Sequence, residues 1–369
     1  MKNLASELCK TTYISRIFRL LSMVLFFVLL SACTQNVSQM QEEVFALPTV
    51  DTSTGNDFKA TKHPTQTVPV GTQEIEITPD PLLTSSTTID MNETISVTEI
   101  SPAPTSSVIQ QTSEKDGMEM VYIPAGDFIM GNNSSDVDKN EKPEHIVYLD
   151  AYWIDKYEVT NSQFLQFIDE TGYITDAERA GCSYVWRSGN WPCINGASWR
   201  NPTGPGSDVK SIPDHPVLHI SWKDANAYCS WAERDLPTEA QWEKAVRGEK
   251  GYLYPWGNET PTAQLANFDG NVGASTAVGS YPSGASPYAA MDLAGNVWEW
   301  VKDYYGQSYY YSQSSWNNPQ GPASGQYRIL RGGSWLYNES YMRSTMRLSI
   351  FPDYAGNNNG FRCAMNEEN

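Results

Sequence analysis

The sequence of residues 116–369 predicts an α+β domain that is rich in loops and low in regular secondary structure. Short strings of β-branched and aromatic residues, bounded by turn residues, predict strands within 118–126, 128–132 and 145–154 (MEMVYIPAG, FIMGN and HIVYLDAYWI). Tryptophan and tyrosine residues are spread among glycine, asparagine and proline, and we find no internal repeat. We therefore expect aromatic side chains in loops to form much of the core.

Three helices are predicted from capping boxes, in which a Ser or Thr and the residue three positions later bond each other's backbone N–H groups. The boxes begin at Thr160, Ser221 and Thr238, and the last of these directly follows Pro237. Each box leads into a mixed apolar and polar run (QFLQFIDE, ANAYCSWAE and QWEKAVRG). We expect one short helix after each box.

The first 33 residues have the layout of a secretory signal that ends in a bacterial lipobox. A basic start precedes an apolar run over residues 20–30, which is too short to span a bilayer comfortably. Leu-Ser-Ala-Cys follows, so we expect Cys33 to become the lipid-modified first residue of an exported, membrane-anchored protein. The alternative is an ordinary signal peptide with a chance cysteine. In either case the domain is expected to face the extracytoplasmic side.

Residues 34–115 are rich in Ser, Thr and Pro and contain few aromatic residues. A segment of this composition buries too little apolar surface to offset chain entropy, so we expect a disordered stalk. The composition changes abruptly at Asp116, where the predicted domain begins.

The chain is strongly acidic. Its formal net charge is −18, and removing residues 1–33 takes away four basic residues and one acidic residue. Because nucleic-acid phosphates would repel such a protein, the charge argues against a nucleic-acid partner.

Four of the six cysteines lie in the predicted domain, where disulfides are permitted in an exported chain. Cys182 and Cys193 bracket a ten-residue loop and are natural partners, which leaves Cys229 to pair with Cys363. Buried free thiols are the alternative.

A set of motifs in fixed order resembles the formylglycine-generating enzyme family, the sulfatase-modifying factor domain. The motifs are MVYIPAGDFIMG, YEVTNSQFLQF, HPVLHISWKDANAYCSWA, RDLPTEAQWEKAVRG, YPWGNE, GNVWEWVKD, LRGGSW and GFRC. The resemblance covers residues 116–369 and implies a variant of the C-type lectin fold with one or two structural calcium ions.

In the oxidase members of this family, RGGSW leads into two cysteines, five residues apart, that bind copper(I). Soft thiolate ligands select that ion. Here the matching positions hold Tyr337 and Met342, although Ser334 and Tyr341 of the loop persist. We therefore expect no copper cofactor and no formylglycine oxidation.

The resemblance also implies the calcium ligands, because hard cations take carboxylate and carbonyl oxygens. The first site would use the side chains of Asp292 and Glu299 and the carbonyls of Gly295 and Val297. The second, weaker site would use Asn267, the Phe268 carbonyl, Asn271 or Asp269, and the Val272 carbonyl. The alternative at the first site is an acidic turn held by Trp298 and Trp300.

A second branch of related enzymes holds iron with three histidines. The predicted domain contains only His145, His215 and His219, and no added helical bundle. We expect these three histidines to be packing or turn residues.

Three functions remain open. The first is a non-catalytic binding module, because mixtures of Tyr and Asn suit adaptable recognition surfaces. Its expected binding face comprises Trp335, Tyr337, Asn338, Glu339, Tyr341, Met342 and Ser344, and its ligand would be a protein or a glycan. The segment also resembles the variable region of lectin-fold proteins diversified by retroelements. The second function is a residual oxidase acting on exported proteins, and the third is an accessory role in the maturation of envelope proteins.

Overall fold

The computed structural model describes residues 108–306 and 316–367. The expected signal peptide, Cys33 and most of the expected stalk lie outside these residues. The strands of the described part are β1 Gln110–Thr112, β2 Glu119–Ile123, β3 Gly126–Met130, β4 His145–Leu149, β5 Tyr152–Asp155, β6 Cys182–Tyr184, β7 Cys193–Asn195, β8 Trp298–Tyr304, β9 Arg328–Arg331, β10 Leu348–Ile350, β11 Asn359–Phe361 and β12 Ala364–Asn366. Its α-helices are α1 Asn161–Thr171, α2 Asp176–Ala180, α3 Trp222–Trp231 and α4 Glu239–Arg247. The predicted loop-rich α+β character is confirmed.

The three predicted helices are confirmed at their predicted starts. The hydroxyls of Thr160, Ser221 and Thr238 each accept a hydrogen bond from the backbone N–H three residues later, which caps α1, α3 and α4. Helix α2 was not expected from the sequence, although Thr175 and Glu178 form the same box. Its five residues are too few to show a helical apolar period.

The strands form two four-stranded sheets, in the orders β1-β2-β5-β12 and β10-β9-β8-β11, together with the hairpins β3-β4 and β6-β7. The pair β8–β11 is parallel and the other pairs are antiparallel. The apolar string 145–154 divides into β4 and β5, which join different sheets. This string therefore does not form the single strand that its composition suggests.

The ordered domain begins before Asp116. Strand β1 lies in the segment that composition assigned to the stalk, and it pairs antiparallel with β2 from Gln110 opposite Val121 to Thr112 opposite Glu119. Main-chain hydrogen bonds hold this strand, and they do not require apolar side chains. Composition alone therefore places the boundary too late.

Both expected disulfides are present. Cys182–Cys193 joins β6 to β7, and Cys229–Cys363 joins α3 to the turn between β11 and β12. Helix α4 packs against β3, β4 and β8, and its Trp242 is fully buried. None of the helices in the described ranges has the length and apolar content needed to cross a bilayer.

Candidate functional site

The segment that follows β9 is held by a buried ion network. Arg331 is fully buried and bonds Glu239 at 3.0 Å and Glu243 at 2.6 Å, both on α4. It also donates to the carbonyl of Ser344 at 2.7 Å. The guanidinium therefore ties both ends of the loop 332–344 to the same helix.

Two glycines allow the chain to turn sharply after Arg331. Gly332 has a φ of 91° and Gly333 a φ of 77°, a region that side chains with a Cβ rarely adopt. A Cβ on Gly333 would lie 2.1 Å from the Cε of Met342. The RGG motif thus permits Met342 to pack directly against the backbone of the turn.

Backbone hydrogen bonds join this segment to the two loops predicted to bind calcium. Trp335 N donates to Asn296 O at 2.8 Å, and Gly295 N donates to Gly332 O at 2.9 Å. Asp269 N donates to the carbonyl of Tyr337 at 2.9 Å. The three loops therefore form one connected unit, which makes their geometries interdependent.

The two positions that the resemblance matches to the family cysteines are filled by buried side chains. Tyr337 is 1% exposed and Met342 is 0% exposed. The Tyr337 ring lies edge-on to Trp298 with 5.7 Å between centroids, and 4.8 Å from the ring of Tyr341. Burial raises the pKa of the Tyr337 phenol above its ordinary value, so the group stays protonated. A neutral phenol and a thioether therefore occupy the positions where the resemblance places two thiolates in the oxidase members.

Three buried polar atoms in this region have no hydrogen-bond partner among the described residues. They are Tyr337 Oη, Ser334 Oγ and Trp298 Nε1. A buried donor without a partner is unfavourable. Unpaired polar groups thus lie in the interior of this region, and no thiolate of the described residues lies beside them.

The expected binding face is wrong for four of its seven members. The buried side chains are Trp335, Tyr337, Met342 and Ser344, the last two fully so. Asn338 and Glu339 are exposed, and Tyr341 is half-buried. The Tyr and Asn content of the segment does not distinguish a ring that faces solvent from one that packs on Trp298.

The exposed part of the segment lies beside a second loop. Ser344 donates from its N–H and its hydroxyl to the carbonyl of Leu253, at 2.8 and 3.0 Å. In that loop Tyr254 and Trp256 stack with 5.3 Å between centroids and 7° between planes. We name residues 338–341 the rim patch.

A buried acidic cluster lies under the loop 292–299. Glu158 and Glu299 are fully buried and Asp292 is nearly so, and the guanidinium of Arg362 bonds both oxygens of Glu299 at 2.7 Å. Burial raises the pKa of Asp292 to about 6, while burial and the charges of Asp292 and Glu299 raise that of Glu158 well above its ordinary value. One arginine thus faces three carboxyl groups, which is an environment that favours a bound cation.

The donor set fits a hard cation in part. Asn267 Oδ1 and Glu158 Oε1 are buried oxygens without a hydrogen-bond partner among the described residues. Asn271 is exposed and Val272 is 54% exposed, so the outer part of the second predicted site lies at the surface. In the described ranges no three acidic, histidine or cysteine side chains converge on one point. A calcium ion here would therefore need backbone carbonyls and amide oxygens among its ligands.

Sequence reasoning missed Glu158 in this cluster. Its Oε2 accepts from Asn296 Nδ2 at 3.1 Å, so it lies beside the loop predicted to bind calcium although it is 138 positions away in sequence. Glu158 lies in the loop between β5 and α1, two positions after Lys156, and no local pattern marks it as a partner of Asn296.

The three histidines do not form a metal site in the described ranges. His219 is fully buried, and its ring nitrogens lie 2.8 Å from Ser183 Oγ and 2.8 Å from the Pro202 carbonyl. Burial lowers its pKa to about 4. His145 Nδ1 lies 2.8 Å from the Pro143 carbonyl, and His215 Nδ1 lies 3.5 Å from Ser275 Oγ.

Comparisons with known proteins identify the family. The model of the sulfatase-modifying factor enzyme 1-like domain matches residues 105–367. The chain is 40% identical over 279 residues to a formylglycine-generating enzyme of Bos taurus, with 67% of this chain and 74% of that protein covered. It is 36% identical over 276 residues to the inactive C-alpha-formylglycine-generating enzyme 2 of Mus musculus, with 66% and 85% covered.

A solved structure shows the same fold. PvdO from Pseudomonas aeruginosa superposes with a TM-score of 0.58 at 25% identity, covering 70% of this chain and 98% of that one. The motifs, the family match and the bovine and murine relatives agree with this fold. The chain belongs to the sulfatase-modifying factor, or formylglycine-generating enzyme, family.

Proposed function

We propose that this chain is a non-catalytic member of its family that binds a protein or glycan ligand outside the cytoplasm. One observation carries the proposal. Buried Tyr337 and Met342 occupy both family cysteine positions, and each of the four cysteines in the described ranges is in a disulfide. No thiolate among the described residues is available to hold copper(I), which soft sulfur ligands select.

The relatives support a loss of catalysis without loss of fold. The murine relative named inactive is 36% identical to this chain, close to the 40% of the bovine relative named as an enzyme. The fold thus persists in family members of both kinds, and function depends on the site.

The rim patch is the proposed ligand contact. It combines the exposed Asn338 and Glu339 with the half-buried ring of Tyr341. Large planar rings next to short polar side chains bind ligands at a low entropic cost. Tyr337 lies behind Tyr341 and supports its ring from the interior.

Calcium has a structural role in this proposal. Asp292, with the carbonyls of Gly295 and Val297, would hold one ion and offset the charge of the acidic cluster. Glu299, whose two oxygens already accept from Arg362, would complete the site only by exchanging one of these bonds for the ion. The buried oxygen of Asn267 would serve the second ion. Because these loops are bonded to the segment 332–337, calcium would order the loop that carries the rim patch.

Export and lipid attachment at Cys33 complete the proposal. The basic, apolar and lipobox elements of residues 1–33 support it. Mass spectrometry of the protein from membranes tests it, with a diacylglyceryl group on Cys33 expected.

The test of binding is a glycan and peptide array probed with the calcium-loaded protein. Wild type, Tyr341→Ala and Glu339→Ala are compared, with Tyr148→Ala as the matched control because Tyr148 is 36% exposed on β4. Binding that both rim variants lose and the control keeps is the expected result. Equal binding by all four proteins would exclude the rim patch.

Titration with copper(I) tests the catalytic alternative. We expect no tight binding by the wild-type protein. Stoichiometric tight binding would overturn the non-catalytic assignment and favour oxidation of exported proteins. If copper does not bind and the array shows no ligand, an accessory role in envelope-protein maturation becomes the better explanation.

A further inference from the structure

A pocket of about 440 Å³ lies on the domain beside β1, and it belongs neither to the rim patch nor to the acidic cluster. This volume is within the usual range of ligand pockets, roughly 300–1,000 Å³. Its lining residues are Val108, Ile109, Tyr122, Pro124, Glu249, Lys250, Tyr252, Pro287 and Tyr288. We name it the tyrosine–proline pocket after its three tyrosine and two proline rings.

One residue that lines this pocket, Tyr288, has a hydroxyl without an acceptor in the described part of the chain. The hydroxyl of Tyr288 is buried and has no partner among the residues that the structure describes. Burial, followed by the charge of Glu249, raises the pKa of Tyr288 to about 12, so the hydroxyl carries its proton. The Tyr122 hydroxyl, in contrast, already donates to Glu367 at 3.0 Å. A ligand that offers a carbonyl oxygen would satisfy Tyr288.

One wall of the pocket is held firmly. Lys244 donates to the Pro124 carbonyl at 2.7 Å and to the Gly126 carbonyl at 2.9 Å. The ammonium of Lys250, which also lines the pocket, lies 6.0 Å from the centre of the Tyr252 ring. Glu249 also lines the pocket, so the lining carries one positive and one negative side chain. Because these charges offset each other, the pocket suits an uncharged ligand.

The rim of the pocket is apolar and lies where the chain enters the domain. Val108 is 45% exposed and Ile109 is 56% exposed, and both line the pocket. The residues directly before them read Ser-Pro-Ala-Pro-Thr-Ser-Ser, with Pro102 and Pro104 six and four positions before Val108. At about 3.1 Å per residue, an extended chain from Val108 reaches roughly 12–19 Å back to these prolines.

Proline-containing segments match this lining. An extended polyproline conformation has no internal hydrogen bonds, so its carbonyls are free to accept from a tyrosine hydroxyl, and its rings pack on aromatic faces. We propose that the tyrosine–proline pocket binds residues 101–107 of this chain, with a carbonyl of that segment accepting from Tyr288. Tethering to Val108 gives the segment a high effective concentration at the pocket.

Occupation of the pocket would fix the direction in which the chain leaves the domain. The prolines would add a packed anchor immediately before β1, which lies at the edge of its sheet. The domain would then keep one orientation relative to the residues that precede it. A competing proline-containing peptide would release this constraint.

The experiment measures binding of a fluorescent peptide, EISPAPTSSV, to the full chain by anisotropy. We compare wild type, Pro102→Ser/Pro104→Ser and the matched control Pro79→Ser/Pro81→Ser, which has the same spacing farther from the domain. The Pro102/Pro104 variant should bind the peptide at least tenfold more tightly than wild type and the control, because its own segment no longer competes. Adding Tyr288→Phe to that variant should weaken binding about fivefold, the effect of one lost hydrogen bond.

Two results would overturn the proposal. Equal, Tyr288-dependent binding by wild type and both proline variants would show that the pocket accepts a partner's peptide and is not filled by this chain. Absence of binding to any of the proteins would show that the pocket is not a site for proline-containing segments. Circular dichroism of each variant confirms that the domain is folded, and the outcome does not depend on the rim patch.

Discussion

The Cε of Met342 lies only 2.1 Å from the position that a Cβ on Gly333 would take. The tight turn of the RGG motif and the thioether at a family cysteine position are therefore one packing arrangement. Gly333 also has a φ of 77°, where a residue with a Cβ is strained. The features expected to mark a catalytic loop serve here to bury Met342.

Gly333→Ala should therefore destabilise the domain through both strain and overlap. We expect a loss of about 3 kcal/mol in the free energy of unfolding, measured with urea. Gly189→Ala is the control, because Gly189 has a φ of 84° but no atom within 4 Å of its Cβ position, and should lose only about 1 kcal/mol. In a double-mutant cycle, Met342→Ala should reduce the cost of Gly333→Ala in part, because the Tyr341 carbonyl oxygen also lies 2.8 Å from that Cβ position. Additive losses would contradict the proposed contact.

Arg331→Met should be strongly destabilising. The change removes one of two buried arginine partners from each glutamate, leaving Glu239 with Arg347 and Glu243 with Arg247. Removing one partner of a buried ion pair costs about 3–5 kcal/mol, and we expect a loss near the lower end of that range. Lys302→Met is the matched control, because its pair with Asp235 is largely exposed and should cost less than about 1 kcal/mol. Similar losses in urea unfolding for the two variants would refute a special role for the buried network.

The neutral His219 should make the domain less stable in acid. Its folded pKa of about 4 lies below its ordinary value of 6.5, so the unfolded chain binds the proton first. Stability from this group is complete above pH 6.5 and is lost as the pH falls toward about 4, with a total of about 3 kcal/mol. Buried carboxyls with raised pKa values, such as Asp155 and Asp303, act in the opposite direction.

The measurement must therefore compare two proteins across the same pH range. His219→Asn suits the φ of 61° at this position and removes the titration. Wild type should lose stability relative to this variant between pH 6.5 and 4. Parallel curves of unfolding free energy against pH would show that His219 is not buried in the neutral form.

Calcium should stabilise the protein through the acidic cluster. At a concentration about a hundredfold above the dissociation constant, a ligand that binds only the folded state adds about 2.7 kcal/mol. For a domain of this size we expect a rise of about 5–10 °C in Tm on adding calcium, and its reversal by EGTA. Asp292→Asn should remove most of the response, whereas the exposed Asp150→Asn should retain it. An equal response in both variants would place the ion elsewhere.

Short sequence patterns predicted those features of the fold, such as helix starts, that depend on residues close together in the chain. The capping box at Thr160 involves residues three positions apart, so the start of α1 could be read from the sequence. The burial of Tyr337 depends on Trp298, 39 positions earlier in the chain, and no periodic pattern records that contact. For the same reason Glu158 was not associated with Asn296. The family motifs located the site, but only the packing showed which of its side chains face solvent.

Placing cysteines at positions 337 and 342 tests what keeps copper(I) out of this site. Tyr337→Cys/Met342→Cys places thiols at two buried positions five residues apart, on a loop still held by Arg331. We expect this variant to bind one equivalent of copper(I) tightly, since a thiolate pair selects that ion, whereas wild type does not. Replacing the large side chains leaves a cavity and should cost about 3–5 kcal/mol, so Tyr337→Ser/Met342→Ser is the matched control for folding and for metal selectivity. Copper binding by the cysteine variant alone would show that Tyr337 and Met342 are what excludes the ion. A folded cysteine variant that binds no copper would show instead that the loop geometry itself has changed.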